Sequence, residues 1–303
     1  MPSLPTAIPG PIDWQGLLLL LGIGAAAYWA LLVLLTAWRL THPPRRTYAW
    51  AVSRGVPGDP REAFGGGFTS SDRRLDGGAP VAVWEVEGEA PAGPVVIISH
   101  GWGSGRVEML RRSHALRAVA SRVVLWDMPG HGESGGWCTL GDREERVLGT
   151  LIDDASERFG VPVVLHGWSL GAEISIRAAR TRPAVRGIVL DGVYTSGWVP
   201  ARCLLESRRL PWGATLGPAL ALIGLLFGFD PLRRFRPVLR GVDASALPGL
   251  LLHASRDVIC PVQGASEIAR DTGWQLRTYD DAGHDDVWVH AESEALEWIR
   301  GLK

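Results

Sequence analysis

Cysteine is scarce in this chain. Cys138, Cys203 and Cys260 are the only three in 303 residues. Their number is odd and their spacing wide, which excludes a disulfide framework and offers no metal-ligand cluster. Buried free thiols are the expected state, in keeping with a reducing compartment. A surplus of charge is lacking too. The chain has 31 basic and 32 acidic residues, a formal net charge of -1, so nothing points to nucleic acid as a partner. Internal repeats and long low-complexity segments are absent. What is present is apolar mass. Hydrophobic residues make up 46% of the chain, enough for a sizeable core in one large domain or two small ones.

Charge disappears altogether from Gly16 to Trp38, between Trp14 and Arg39. As a helix this run measures about 35 Å, against about 30 Å for a bilayer core. Trp14 and Trp38 stand where interfacial aromatics belong. Residues 1 to 15 carry no Lys or Arg. A secretory signal would need a basic start and a shorter apolar run. One transmembrane helix at 16–38, within an N-terminal segment 1–41, is therefore expected. Arg39, Arg45 and Arg46 follow it. Positive charge on that side alone predicts the N-terminus outside and the bulk of the protein on the cytoplasmic face. Gly22, Ala26 and Ala30 fall four apart. That spacing permits self-association through the helix, although a plain Ala- and Gly-rich span is the preferred account of it.

Residues 42–67 hold His42-Pro43-Pro44 and Gly65-Gly66-Gly67. They read as a juxtamembrane linker with room for one short element. From Phe68 onward, short apolar strands alternate with helices. A hairpin turns at Asp76-Gly77-Gly78 and returns as Val81 to Val86. Strands follow at Pro94 to Ser99, Val123 to Trp126, Val163 to Leu165 and Gly187 to Leu190. Helices are expected at Met109 to Ala120 and at Asp142 to Phe159, with Asp142 as N-cap. A third helix follows Ser169. The alternation stops at about 192–246 and resumes at Gly249 to His253, Val262 to Asp271, Gln275 to Tyr279 and His284 to Leu302. Such alternation predicts an α/β domain over 68–303, with a mostly parallel sheet covered by helices on both faces. The interruption contains a charge-free run, Pro211 to Phe229, followed by Arg233, Arg234, Arg236 and Arg240. Its prolines and glycines make a poor second membrane span. A cap over an apolar acyl pocket fits better.

The chemistry centres on Gly167-Trp168-Ser169-Leu170-Gly171. A buried strand precedes it and good helix formers follow. A strand turning sharply into a helix at a serine is a nucleophile elbow. The glycines allow the tight bend, and the helix N-terminus favours developing anions. The pattern alone is weak in a chain with 38 glycines, and it recurs at Gly132-Glu133-Ser134-Gly135-Gly136. That copy has no strand before it and reads as a loop, so context selects Ser169.

Serine needs a base, and the base needs an orienting carboxylate. Catalytic groups of an α/β sheet sit in loops beyond the strand ends. His253-Ala254-Ser255-Arg256-Asp257 follows one strand, and Asp280-Asp281-Ala282-Gly283-His284 follows the last. Asp257 is the expected acid, with Asp191 as the runner-up. His284 is the expected base, better placed than His290. His100 and His166 read as packed structural residues, and His131 as part of a shaping loop. Oxyanion donors are expected from the backbone N–H groups of Leu170 and Trp102.

Taken together, His100-Gly101-Trp102-Gly103, Asp127-x-x-Gly130-x-Gly132-x-Ser134, Gly167-x-Ser169-x-Gly171, Ser255-Arg256-Asp257 and Gly283-His284 resemble the α/β-hydrolase superfamily. The resemblance runs from about Phe68 to the C-terminus. Within the superfamily the chain is similar to membrane-anchored bacterial serine hydrolases of the serine aminopeptidase and prolyl-oligopeptidase-like branch. It implies a Ser169, Asp257, His284 triad, with Trp102 and Leu170 lining the oxyanion hole. Ala254 departs from the Gly that relatives often carry there, without consequence for the mechanism. The expected activity is a membrane-anchored serine hydrolase acting on esters or thioesters of apolar acids, with no cofactor and no metal. Its partners would be a lipid-like acyl substrate and the bilayer. A peptidase or amidase of the same fold, or a catalytically silent membrane-bound binding protein, are the alternatives.

Overall fold

A computed structural model describes residues 13–65, 68–74, 78–228 and 246–302. Part of the expected Asp76-Gly77-Gly78 turn, Gly66, Gly67, Phe229 and the arginines from Arg233 to Arg240 lie outside the described residues.

Eight strands form one sheet: β1 (Phe68–Arg74), β2 (Pro80–Glu87), β3 (Val95–Ser99), β4 (Arg122–Trp126), β5 (Val163–Trp168), β6 (Val185–Asp191), β7 (Gly249–Ala254) and β8 (Gln275–Tyr279). Their order is β1-β2-β4-β3-β5-β6-β7-β8. β1 and β2 form an antiparallel pair, and β2 meets β4 antiparallel. The remaining pairings are parallel. All five residues of β3 and all six of β7 are buried. Continuous apolar runs like these are what a strand covered on both faces requires. Alternate residues serve opposite cores. Val95 and Ile97 join one apolar cluster, and Val96 and Ile98 join the other, as the two-residue period of a strand dictates.

Helices α1 (Trp14–Thr41), α2 (Tyr48–Arg54), α3 (Pro60–Phe64), α4 (Leu110–Leu116), α5 (Asp142–Phe159), α6 (Leu170–Ala179), α7 (Trp198–Ser207), α8 (Leu216–Phe227), α9 (Val262–Thr272) and α10 (Val287–Arg300) surround the sheet. α5, α6, α7, α8 and the end of α1 contribute to one core. α4 and α10 contribute to the other, together with Ala51 of α2.

Four expectations change in detail. The segment after α1 carries two short helices, with Ala51 fully buried and Trp50, Ala63 and Phe64 packed on the core. It is thus a strap across the domain, because its apolar residues find a core to cover. α5 is capped from one residue earlier. Gly141 is its N-cap, and the Glu144 carboxylate accepts from Gly141 N–H at 2.9 Å and Thr139 N–H at 2.8 Å. The Thr139 hydroxyl accepts from Arg143 N–H at 2.7 Å. With those donors satisfied, Asp142 is not needed as the cap. The helix expected from Met109 to Ala120 ends at Leu116 and tightens into a 3₁₀ turn, Arg117–Val119. The last helix begins at Val287, so His284 stands in the preceding loop.

α1 exposes most of its length. Leu18 is 66% exposed and Leu20 68%, and Gly22, Ala26 and Ala30 are also exposed. Its C-terminal turns differ: Val33, Ala37 and Leu40 enter the core. The charge-free run of the insertion becomes α8, whose 12 residues span only about 18 Å. Pro218 sits in its first turn, where a missing N–H costs little. α8 packs alongside α1, and the Trp29 indole donates to the Ala214 carbonyl at 3.0 Å. Leu225 and Leu226 at its far end are 80% and 68% exposed.

Candidate active site

β5 delivers Ser169 to the carboxyl edge of the sheet, and α6 leaves from the next residue. Ser169 adopts φ 54°, ψ −114°, a backbone state that few non-glycine residues occupy. The bend survives because glycines stand two residues to either side, at 167 and 171. A Cβ at Gly171 would run into the Ser99 carbonyl, and one at Gly167 into the backbone of Gly171 and Ala172. The Ser169 N–H is anchored to the Asp191 carbonyl at 2.8 Å. The second glycine-serine copy is braced differently. Ser134 is fully buried. Its hydroxyl donates to the Asp127 carbonyl at 2.6 Å and accepts from Ala82 N–H at 2.9 Å.

His284 and Asp257 meet across two loops. His284 Nδ1 lies 2.7 Å from Asp257 Oδ2. The other oxygen, Oδ1, accepts from the backbone N–H groups of Ile259 at 2.8 Å and Cys260 at 2.7 Å. Burial works against the Asp257 charge, but these donors and His284 outweigh it, holding its pKa below the ordinary value. Burial also works against a charged His284, yet the Asp257 carboxylate prevails and its pKa is raised. With Nδ1 donating to Asp257, Nε2 is left as the basic nitrogen.

Ser169 and His284 line one cavity of about 470 Å³. Both lie against the Cys260 thiol, which burial pushes up in pKa and keeps protonated. Trp102 and Leu170 line the same cavity. Neither of their backbone N–H groups appears among the turn and cap hydrogen bonds of the described residues. The Trp102 indole instead donates to the Leu40 carbonyl at the end of α1, at 2.9 Å. Apolar side chains including Leu40, Leu140, Leu204 and Val289 complete the wall.

Asp191, the runner-up acid, is paired elsewhere. Arg112 reaches its Oδ2 at 2.9 Å. Arg112 also donates to His166 Nε2 at 3.0 Å, so His166 donates from Nδ1 to the Val189 carbonyl at 3.2 Å. Trp168 and Trp288 flank the guanidinium at 5.3 and 5.6 Å. Burial, helped by Arg112, lowers the His166 pKa to about 3. His100 is neutral for the same reason, lowered to about 4 by burial, and accepts from Met128 N–H at 3.0 Å. His131 is fully buried, with Nδ1 at the Pro129 carbonyl. His290 lies beyond the site, its ring 6.4 Å from that of Tyr279.

Two neighbours of the site escaped sequence reasoning. Trp168 donates its indole N–H to the His284 carbonyl at 3.0 Å, so the elbow itself holds the histidine loop. Its position between Gly167 and Ser169 was visible, but not where its ring would reach. Cys260 is the other. The cysteines form no cluster along the sequence, yet folding brings Asp257, Cys260 and His284 donor atoms within 4.8 Å of one another. This donor set suits zinc in kind, but Asp257 and His284 already satisfy each other.

The alpha/beta hydrolase family model matches residues 95–298, and the chain belongs to that family. Among curated relatives it is similar to human monoglyceride lipase, 29% identical over 239 residues, covering 66% of this chain and 78% of the lipase. It is also similar to pimeloyl-[acyl-carrier protein] methyl ester esterase of Methylococcus capsulatus, 36% identical over 255 residues, covering 67% of this chain and 92% of the esterase. Among solved structures, esterase Pf2001 of Pyrococcus furiosus superposes with TM-score 0.67 at 18% identity, covering 86% of this chain and 99% of that one. That likeness concerns the fold.

Proposed function

We propose that this protein is a membrane-anchored serine hydrolase cleaving carboxylic esters or thioesters of apolar acids. One observation carries the reading: Ser169, on a strained elbow, shares a cavity with an imidazole bonded to a buried carboxylate at 2.7 Å. In the proposed reaction Ser169 Oγ attacks the acyl carbonyl carbon while its proton passes to His284 Nε2. Asp257 holds the imidazolium through Nδ1–H. The N–H groups of Leu170 and Trp102 receive the oxyanion. His284 then protonates the departing alkoxide or thiolate, leaving acyl-Ser169. Water, deprotonated by His284, attacks the acyl carbon and releases the acid and free Ser169.

The ester-hydrolase names of the relatives favour esters over the peptides that the serine aminopeptidase and prolyl-oligopeptidase-like resemblance would suggest. The contact between His284 and Asp257 argues against a silent binding protein. α1 is long and apolar enough to cross a bilayer, and its exposed leucines match such a role. Arg39, Arg45 and Arg46 at its end favour an orientation with the catalytic domain on the cytoplasmic side. α8, beside α1 with Leu225 and Leu226 outward, would bring the cap into the lipid.

The test is fluorophosphonate labelling of the full chain in detergent, beside hydrolysis of an ester chain-length series and of short peptides. Wild type is expected to label and to favour apolar esters, and Ser169→Ala to do neither. Folded wild type that refuses the probe would overturn the reading.

A further inference from the structure

Three arginines gather where α1 meets the cavity. Arg46 and Arg208 line it. Arg39 lies one residue before Leu40, the wall residue whose carbonyl holds the Trp102 indole. The Arg208 guanidinium sits 5.3 Å over the Trp102 ring, beside the loop that supplies the expected oxyanion donor. Burial, and then the nearness of Arg39 and Arg46, lower the Arg208 pKa. No carboxylate among the described residues pairs with Arg39 or Arg208. Arg46 lies over the Trp50 ring at 4.5 Å and pairs through Nε with Glu108 at 3.5 Å, a contact too loose to count as a hydrogen bond for that buried nitrogen. Cations drawn together in this way repel one another. An anion between them would relieve that cost and use donors now unfilled.

The depth of the cluster identifies the anion. Arg39 stands where the charge-free run of α1 ends, at the level of lipid headgroups if α1 spans the bilayer. Leu40, Leu204 and Leu140 give the cavity that Ser169 shares with Arg46 and Arg208 an apolar wall. A lipid with its phosphate on the arginines and its chain against this wall would hold its ester near Ser169. We propose that Arg39, Arg46 and Arg208 form an anion subsite for the phosphate of a single-chain, phosphate-bearing lipid ester drawn from the membrane. This rests on the reading of the Ser169 cavity as an ester-cleaving site, and it narrows the substrate to a lysophospholipid class.

The test compares 1-oleoyl lysophosphatidate, 1-monooleoylglycerol and oleoyl-coenzyme A as substrates of the full chain in neutral detergent. Wild type is expected to prefer the lysophosphatidate over the neutral ester by roughly tenfold in kcat/KM, less at high salt, since salt screens the contact. Arg208→Gln is expected to remove most of that preference through KM, and Arg208→Lys to restore part of it. Melting temperatures report folding, and Arg39→Gln carries the test if Arg208→Gln does not fold. Binding of ether-linked analogues of both lipids to Ser169→Ala separates this inference from the proposed activity. Phosphate preference in binding without hydrolysis by wild type would keep the subsite and sink the activity. Hydrolysis with no phosphate preference, or a preference unchanged in the arginine variants, would overturn the subsite. Stronger turnover of the coenzyme A thioester than of the lysophosphatidate would overturn the lipid as its occupant.

Discussion

Trp168 occupies a variable position of the serine motif, yet its indole N–H holds the His284 carbonyl at 3.0 Å. Trp168→Phe keeps an aromatic ring, though a smaller one, and deletes the donor. Losing one neutral hydrogen bond costs about 0.5–1.5 kcal/mol, so kcat on a soluble ester should fall roughly two- to tenfold with little change in KM. Steady-state kinetics check this, and an unchanged kcat would mean the loop holds itself. His284 carries a prediction of its own. In the proposed mechanism it must be neutral to accept the serine proton, so activity should climb as pH rises through its pKa. Asp257 raises that pKa against burial, so the ascending limb of kcat/KM should centre above about 6.5, the ordinary histidine value. In Asp257→Asn burial acts with less opposition. The limb should move down, and kcat should drop by about 10²–10⁴-fold. The linkage has the matching sign. His284 protonation stabilises the fold fully below about pH 6.5, and this contribution is lost as pH rises through the folded pKa. At this scale Ser169, Asp257 and His284 could be chosen as candidates from the sequence, because each stands just beyond an expected strand. The reach of the Trp168 ring could not, since it depends on where a loop more than a hundred residues later comes to rest.

Elements decide how those side chains are aimed. The β5–α6 elbow works because nothing but hydrogen occupies the Gly171 Cβ position against the Ser99 carbonyl. Gly171→Ala must move backbone of β3 or α6. Overpacking of this kind costs about 1–3 kcal/mol, and a lowered melting temperature with reduced fluorophosphonate labelling is expected. α8 gives a second test. Its outward Leu225 and Leu226 touch lipid in the proposed arrangement. The double change Leu225→Glu and Leu226→Glu should lower turnover of vesicle-borne esters severalfold while a water-soluble short ester is hydrolysed as before. Equal effects on both substrates would place the cap in water. The strands and α5 to α6 were legible in the sequence from apolar runs and spacing. Element ends were less so. The α5 cap turned on whether Glu144 folds back onto Thr139 and Gly141, which helical periodicity does not report.

At the scale of the molecule, a buried pair ties one helical layer to the sheet. Arg112 of α4 reaches Asp191 at the end of β6 and lies near Trp288 of α10. Removing one partner strands a buried charge, at about 3–5 kcal/mol. Asp191→Asn should therefore lower the melting temperature, while sparing the kcat of the folded fraction relative to Asp257→Asn. A collapse of kcat equal to that of Asp257→Asn would make Asp191 the working acid. α1 is bound to the same body, with Val33, Ala37 and Leu40 in the core and the Leu40 carbonyl on Trp102. Cutting after Thr41 should thus yield a destabilised domain rather than a freed one, as thermal denaturation of the two forms in the same detergent would reveal.

The order of apolar runs, glycines and loop carboxylates along the chain was sufficient for an α/β sheet, an elbow at Ser169 and an apolar N-terminal helix. These features depend on neighbours a few residues apart, and local sterics and periodicity govern them. Folding alone decided that Cys260 lies beside Asp257 and His284 and that the end of α1 walls the cavity. Such contacts join residues far apart in sequence, and their distances follow from how whole layers pack.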